Sequence, residues 1–232
     1  MNGYGRTTAS LLFLAGLVVM LYALFTALPF GAAPMQIGQE IVARAPGETG
    51  AANIVTAILL GYRGFDTLGE VTILFVAATA AGLVLSGAGA GELPRQAGGF
   101  ILRAAADLLF PFLVLLGAYI IVHGHLTPGG GFQGGAILAA AFFIPLLANP
   151  ASPLNHSTAT LIEGFAGAAF IIIGLLSLLG GDAFLTPLFG KGTLGDLFSA
   201  GSLPLLYLAI GLKVGSELAG LMARIVEVGG KS

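Results

Sequence analysis

Long apolar stretches recur along this chain and are separated by short polar segments. The 232 residues are 56% hydrophobic and only 9% charged, with a mean hydropathy of +0.98. A soluble domain carries about 25% charged residues, so this chain lacks the polar surface that would coat a water-soluble globule. The composition therefore excludes a soluble enzyme and predicts an all-α integral membrane protein.

Several of these stretches are long enough to cross a bilayer, which takes about 20 apolar helical residues. The six predicted spans cover residues 7–28, about 67–86, 101–122, about 131–147, about 158–179 and about 203–225. A cleaved signal peptide is the rival interpretation of the first span, but its apolar region is shorter, about 7–15 residues. We predict a polar connection at 29–50. At 54–60 we predict an interfacial or half-buried helix, because that apolar run is too short to cross alone.

A glycine-rich linker at 86–99 is the best candidate for a domain boundary. We predict a two-span segment at 1–90 and a four-span segment at 91–232. Six spans place both termini on one side of the membrane. The Lys and Arg residues near span ends on that side are Arg6, Arg95, Arg103, Arg224 and Lys231, and those on the opposite side are Arg44, Arg63 and Lys191. This imbalance favours cytoplasmic termini.

Missing residue types exclude several kinds of site. The chain has no cysteine, so a disulfide framework, a thiol nucleophile and an iron–sulfur cluster are impossible. Its net charge of −2 leaves no basic surface for nucleic acid. We therefore expect no nucleic-acid partner, no cofactor and no metal site.

Ionisable residues within or beside the predicted spans are the main functional signal. A charge at a helix centre costs about 2.5–3.5 kcal/mol on an insertion scale. Asp66 and Glu70 are four residues apart and share a helix face, and Arg63 lies one turn earlier. An arginine beside these carboxylates can hold one of them ionised. The cluster is either part of an ion path, with Glu70 as the first candidate, or an interfacial anchor for the helix end.

Two more i,i+4 pairs and one isolated carboxylate complete the list of charged candidates. Arg103 and Asp107 are predicted to neutralise each other near the membrane surface, as a structural pair rather than an ion site. Glu163 has no opposite charge within a turn, so it must find water, a partner span or another subunit. Lys213 and Glu217 lie deep in the last span and form either a proton relay or a static ion pair.

Histidines give a weaker signal. His123 and His125 are two residues apart, so they face different sides of a helix and make a poor metal site. We predict that both are interfacial histidines, and that His156 is an inert loop residue.

The glycine-rich string TPGGGFQGG at 127–135 is the most distinctive motif. No Gly-Lys-Ser/Thr follows it and no strand precedes it, so neither a phosphate loop nor a dinucleotide fingerprint is present. Gly129, Gly130 and Gly131 are predicted to break the helix between the third and fourth spans. Irregular backbone at membrane depth survives only against protein or in a wet cavity. The break and its amide side chain, Gln133, therefore either line a hydrated path or dock against a partner.

Glycines four residues apart also permit close approach of helices in a membrane. Pairs with this spacing in and beside the last four predicted spans are Gly130/Gly134, Gly131/Gly135 and Gly211/Gly215.

Two stretches resemble known families. GHLTPGGGFQGGA at 124–136 resembles the signature of the MnhB-type subunit of the Mrp-type (Mnh, Pha) multisubunit sodium/proton antiporters, a domain that also occurs in group 4 membrane-bound hydrogenases. This likeness extends over about 100–226. The segment at 53–70, ending in YRGFDTLGE, is similar to the small E-type subunit of membrane-bound hydrogenases and to the C-terminal tail of the large MrpA-type subunit. The chain thus resembles a fusion of both units.

The resemblance implies a non-catalytic subunit of a cation/proton antiporter in the cell membrane, and no enzyme. Its implied partners are large antiporter-like subunits, several small membrane subunits and membrane lipid, with Na⁺ and H⁺ as the transported ions. In the family the acidic residue of the RGFDTLGE motif is implicated in ion movement, and this residue corresponds to Glu70. One alternative is the same module inside a membrane-bound hydrogenase or related redox complex. Another is a self-sufficient channel or carrier, although the chain has no internal repeat of the kind many carriers show.

Overall fold

The computed structural model describes residues 3–27, 36–87, 97–149, 154–180 and 182–229. Within these ranges the chain is helical and contains no strand, which confirms the predicted all-α fold. The helices are α1 (Gly3–Ala27), α2 (Gln36–Thr49), α3 (Ile54–Thr56), α4 (Gly64–Gly87), α5 (Phe100–Val122), α6 (Gly131–Ala148), α7 (His156–Leu179) and α8 (Leu203–Gly229).

Six of the described helices, α1 and α4 to α8, are long and apolar enough to cross a membrane, as predicted. Their bounds lie close to the predicted ones, although α4 already begins at Gly64 and α8 continues to Gly229. Helix α1 lies in one compact unit that extends to Gln39, and the other five lie in a second unit that starts at Glu40.

The prediction of a polar connection at 29–50 is wrong in its second half, where α2 forms. Ile41 and Ala45 are one turn apart and pack against the hydrophobic core. On the exposed side, Arg44 Nη2 lies 3.2 Å from Glu40 Oε2. The glycine and proline content of the segment concealed this amphipathic pattern, and Pro46 lies inside the helix near its end. Residues 28–35 lie outside the described part of the chain.

The short helix predicted at 54–60 is present and leads into α4. Asn53 caps it, because its Oδ1 accepts hydrogen bonds from the backbone N–H groups of Val55 (3.1 Å) and Thr56 (3.5 Å). After Thr56 the backbone widens into a π-helical turn at Ala57–Tyr62, which ends where the Arg63 N–H donates to the Ile58 carbonyl at 2.8 Å.

Only the ends of the predicted linker at 86–99 are described, because residues 88–96 lie outside the described ranges. Gly87 ends α4, and residues 97–99 lead into α5. The Gly98 N–H donates to the Ala148 carbonyl at 2.9 Å, which fixes the start of α5 beside the end of α6.

Helix α8 is the most buried of the described spans and packs against α4, α6 and α7. Glycines bring α6 and α8 into close contact. A Cβ atom on Gly135 would lie 2.8 Å from the Gly211 carbonyl oxygen, and one on Gly131 would lie 2.6 Å from Ile210 Cβ. These distances are too short for any side chain, so the predicted close-packing faces of α6 and α8 are confirmed.

We expect Gly135→Ala to weaken the contact between α6 and α8, because the new methyl group would lie within 3 Å of atoms of α8. Overpacking a core costs about 1–3 kcal/mol, so the thermal unfolding temperature of the purified assembly in detergent should fall. Gly164→Ala in α7 is the matched control, since no heavy atom lies within 4 Å of its Cβ position. An equal loss in both variants would argue against close packing as the cause.

Candidate functional site

A lysine and two glutamates meet among the membrane-spanning helices. Lys213 Nζ lies 3.2 Å from Glu217 Oε2 on its own helix, α8, and 3.3 Å from Glu163 Oε1 on α7. Lys213 is only 8% exposed and Glu217 only 5% exposed. We call Glu163, Lys213 and Glu217 the charge triad. Glu163 therefore finds its opposite charge on a partner span, which is one of the three possibilities its sequence context left open.

Neighbouring side chains hold the charge triad in place. Lys213 and Glu217 are i and i+4 on α8, so they lie on one face of the helix. Gly167 of α7 leaves room for the lysine stem, because a Cβ atom there would lie 3.3 Å from Lys213 Cδ. The ring of Phe75 on α4 faces the ammonium group, with its centroid 4.8 Å from Nζ. This is a cation–π distance.

The charge triad is not electrically balanced. When all three groups are ionised, two carboxylates and one ammonium group leave one net negative charge. Glu217 Oε1 is buried with no hydrogen-bond partner in the described part of the chain. An unpaired buried charge is costly. Binding of one proton or one monovalent cation would neutralise the site.

A polar cavity of about 200 Å³ lies between α4, α7 and α8 and reaches the charge triad. Glu163 and Glu217 line it nearest the lysine, and His156 and Arg224 line it where α7 begins and α8 ends. We call this space the triad cavity. A water molecule occupies about 30 Å³ in the liquid, so several waters fit inside.

His156 lines one end of this cavity, and its prediction as a loop residue is wrong. It is the first residue of α7, and its Nε2 lies 2.7 Å from Glu227 Oε1 on α8. The two residues are far apart in the sequence, so no local pattern indicated the pair.

Arg63, Asp66 and Glu70 lie around the start of α4, but they do not form one cluster. Arg63 Nε donates to Asp66 Oδ2 at 2.5 Å, and both side chains are exposed. Glu70 is also exposed, and among the described residues it has neither a hydrogen bond nor an ion pair. Because Glu70 lies within a span, its carboxylate needs water or another subunit for solvation.

The predicted pair of Arg103 and Asp107 is wrong. Both side chains are exposed on α5, and no ion pair joins them in the structure as described. The i,i+4 spacing places them on one face, but no packing holds the two long side chains together, and exposed pairs of this kind gain little free energy. Asp107 instead lines a largely apolar groove between α5, α6, α7 and α8.

The glycine break between α5 and α6 docks against α8. Gly129 and Gly130 have φ angles of +152° and +138°, which suit glycine and strain other residues. A Cβ atom on Gly130 would lie 2.7 Å from Tyr207 Cε1. Of the two alternatives for this loop, docking is the one the contacts bear out, and its partner is a helix of the same chain. Gln133 is exposed and makes no hydrogen bond to a described residue.

The two histidines at this break differ in burial. His123 Nδ1 lies 3.0 Å from the Tyr119 carbonyl oxygen, and its ring stacks on the Tyr119 ring. His125, by contrast, is fully buried. Burial lowers the pKa of His125 because it penalises the charged imidazolium. Backbone groups of Asp196 and Leu197 partly oppose this shift, although neither ring nitrogen has a partner at normal hydrogen-bond geometry among the described residues.

A buried hydrogen-bond network joins the segment before α4 to the glycine break and to α8. Asn53 Nδ2 donates to the carbonyl oxygens of Gly124 and Thr127, both at 2.8 Å. Thr56 Oγ1 donates to the Gly124 carbonyl at 2.5 Å and accepts from the Tyr207 hydroxyl at 2.6 Å. The sequence did not single out Thr56 or Tyr207, because an isolated polar group in an apolar run carries little information about its partner.

We expect Asn53→Ala to destabilise the protein more than Asn155→Ala. Asn53 caps α3 and also satisfies two carbonyl groups near the glycine break, whereas Asn155 only caps α7 through the Thr158 N–H at 3.1 Å. A lost N-cap costs about 1 kcal/mol, and each further hydrogen bond contributes about 1 kcal/mol. Thermal unfolding of the purified assembly should show a larger decrease for Asn53→Ala. Equal decreases would mean that the bonds to Gly124 and Thr127 contribute nothing.

Family models match both parts of the chain. A model described as a domain related to the MnhB subunit of Na⁺/H⁺ antiporters matches residues 101–220, and a model described as the E-type subunit of MBH matches residues 6–85. The first match alone covers more than half of the chain. The protein therefore belongs to the MnhB-related family, and both predicted resemblances are confirmed.

Similar proteins come from archaea and bacteria. An uncharacterized protein of Methanocaldococcus jannaschii is 32% identical over 196 residues, which cover 73% of this chain and 74% of that protein. The B-type subunit of the Na⁺/H⁺ antiporter of Bacillus subtilis is 32% identical over 93 residues, which cover 39% of this chain and 65% of the relative.

Two solved structures share the fold. A chain of the membrane-bound sulfane sulfur reductase, an archaeal respiratory membrane complex, is 38% identical with a TM-score of 0.80, and the match covers 96% of this chain and 98% of that one. A chain of the Mrp complex from Dietzia sp. is 24% identical with a TM-score of 0.76, and the match covers 98% of this chain and 26% of that one. The protein is thus a multi-pass membrane protein, as predicted.

Proposed function

We propose that this chain is a non-catalytic subunit of a multisubunit cation/proton antiporter module, where it contributes to the ion path and to the subunit interface. The charge triad carries this proposal. Ionisable residues are costly inside a membrane and usually mark ion or proton pathways. Here a buried lysine and two carboxylates lie beside a polar cavity in a member of the MnhB-related family.

Within this function, Glu70 is the residue that we assign to the cation-coupled step at a subunit interface. Its carboxylate lies on the outer face of α4 without a described partner, so a neighbouring subunit can complete its surroundings. Asp66, which accepts a hydrogen bond from Arg63, lies one turn earlier on the same helix. The charge triad then handles protons deeper in the bundle.

The partners that we propose are large antiporter-like subunits and small membrane subunits, with lipid around them and Na⁺ and H⁺ as the ions. The Bacillus subtilis relative is named as one subunit of a Na⁺/H⁺ antiporter, and both structural matches are chains of larger assemblies. We also propose that the segments 1–90 and 91–232 correspond to the two family modules, and that the termini are cytoplasmic, because the terminal side carries more Lys and Arg near span ends.

A second candidate is the same module within a redox-driven respiratory complex. The observation that favours it is the 38% identity, over nearly the whole length of both chains, to a chain of the membrane-bound sulfane sulfur reductase. In such a complex this subunit would serve the ion-translocating part and hold no redox centre.

The composition of the native assembly tests the proposal. We expect mass spectrometry of the complex purified through a tag on this chain to identify antiporter-like membrane subunits. Co-purified redox subunits would identify the second candidate. Liposomes that contain this chain alone should show no cation or proton flux. Robust flux from the isolated chain would overturn its assignment to a multisubunit complex and favour a self-sufficient carrier.

A further inference from the structure

We propose that the triad cavity is a one-sided proton path, which takes up protons where α7 begins and α8 ends and delivers them to the charge triad. The inference rests on the proposed function and deepens it. It assigns a side of access and identifies His156 and Glu227 as the residues at the mouth of the path.

The mouth is defined by two helix ends on the same side of the membrane. His156 opens α7, Glu227 lies near the end of α8, and their side chains are 2.7 Å apart. Glu227 is ten residues from Glu217 along α8, which corresponds to about 15 Å at the rise of an α-helix. The cavity therefore connects a helix end to the middle of the bundle.

Hydroxyl side chains that can hydrogen-bond to water line the cavity between its mouth and the charge triad. Thr79 of α4 and Thr160 of α7 line the cavity with hydroxyl groups, and Ser216 of α8 lines it near Glu217. Glu217 Oε1 is buried beside this space, and no described residue bonds to it. A proton carried by waters in the cavity reaches the charge triad first at Glu163, which lines the same space and has 19% of its side chain exposed, and it removes the net negative charge of the ionised triad.

Between Lys213 and the start of α8, closely packed apolar side chains leave no path for water. Leu203, Leu206 and Ile210 lie between Lys213 and the start of the helix and are buried to 2% exposure or less. Tyr207 is a polar group in this stretch, and its hydroxyl is already bonded to Thr56. These packed apolar side chains close that direction to water, so access to the charge triad is from the His156 side.

The groups that face the imidazole of His156 suit proton uptake. Glu227 contacts it from α8, Arg224 of α8 lines the same cavity, and Glu163 lies two turns deeper on its own helix. The α4 residues described in this part of the cavity, Ala78 and Thr79, carry no ionisable group. An imidazole in contact with a carboxylate can take a proton from bulk water and release it inward.

Thiol labelling tests the one-sided path directly, because the natural chain has no cysteine. We would introduce Thr160→Cys, Thr79→Cys and Ser216→Cys singly into the complex and apply a small, membrane-impermeant methanethiosulfonate to oriented membrane vesicles from either side. Leu161→Cys is the matched control, since this neighbour of Thr160 is 61% exposed on the outer surface of α7 rather than in the cavity. The readout is the mass of this chain, so thiols on other subunits do not interfere.

The expected result is labelling of all three cavity positions from the side where α7 begins, at rates several-fold above that of Leu161→Cys. Labelling of Ser216→Cys from both sides, or at the rate of the control, would overturn the one-sided path. For the mouth, we expect His156→Gln to lower the proton-coupled exchange rate several-fold and to change its pH profile. His123→Gln, a change at the other membrane side, should leave both unchanged. Equal rates in the two variants would remove His156 from the path.

The antiporter function and the one-sided proton path can be refuted independently of each other. If the purified assembly contains no antiporter subunits, the proposed function fails, although one-sided labelling still establishes the hydrated cavity. If the assembly exchanges ions normally but the cavity positions do not label, only the path inferred here is refuted.

Discussion

Glu70→Gln is expected to abolish cation-coupled proton exchange while the complex still assembles. Glutamine keeps the size and polarity of the side chain but removes the carboxylate, and with it the negative charge and the group that could carry a proton. Because Glu70 is exposed on α4 and contacts no described partner in its own chain, the substitution leaves the packing of this subunit intact. The measurement is ion-driven proton movement in membrane vesicles that contain the whole assembly, with subunit content checked by mass spectrometry.

Glu40→Gln is the matched control for Glu70→Gln. Glu40 is another exposed glutamate, and it pairs with Arg44 on α2 in an arrangement that contributes little free energy. We expect its variant to exchange ions at the normal rate. Normal exchange in Glu70→Gln as well would refute the assignment of Glu70 to the ion path, and loss of assembly would instead make it an interface residue.

Lys213→Ala should cause the largest loss of stability of any single substitution in the charge triad. It leaves the buried Glu217 and the partly buried Glu163 without the ammonium group that lies 3.2 Å and 3.3 Å from them. Removing one partner of a buried pair typically costs about 3–5 kcal/mol. The yield and the thermal unfolding temperature of the purified assembly should both fall.

The double variant Lys213→Ala/Glu217→Ala is expected to be more stable than Lys213→Ala alone, although it removes more atoms. It restores the single net negative charge of the natural site, which is then carried by Glu163, the most exposed of the three residues. Equal defects in the single and double variants would show that Lys213 and Glu217 do not act as a pair. Proton-coupled exchange measured in the same preparations separates a relay from a static pair, because only a relay requires Glu217 once stability is restored.

Local sequence patterns account for much of the fold. Apolar runs of sufficient length predicted all six candidate spans, and the spacing of Gly131 and Gly135 predicted the close contact of α6 with α8. Spacing of four residues also predicted the contact between Lys213 and Glu217. These features depend on helix geometry alone, so one sequence suffices to find them.

Contacts between helices that are far apart in the sequence could not be predicted from spacing within one helix. Glu163 meets Lys213 across 50 positions, and His156 meets Glu227 across 71 positions. No periodicity within one helix encodes which helices become neighbours, so neither the isolated carboxylate nor the histidine at the start of α7 could be joined to its partner from sequence. For Arg103 and Asp107 the error was the opposite one. Their i,i+4 spacing predicted an ion pair, but no described neighbouring side chain holds the two charged groups together.

The central position of α8 also has a consequence for how the protein is made. Of the described helices, α8 leaves the ribosome last, yet it supplies Lys213 for Glu163, Tyr207 for Thr56 and the glycine face against which α6 packs. Until it is inserted, Glu163 lacks the opposite charge of Lys213, and Thr56 lacks the hydrogen bond from Tyr207. We therefore expect membrane quality-control proteases to degrade nascent chains that stop after α7. Folding of this subunit is complete only once α8 is inserted.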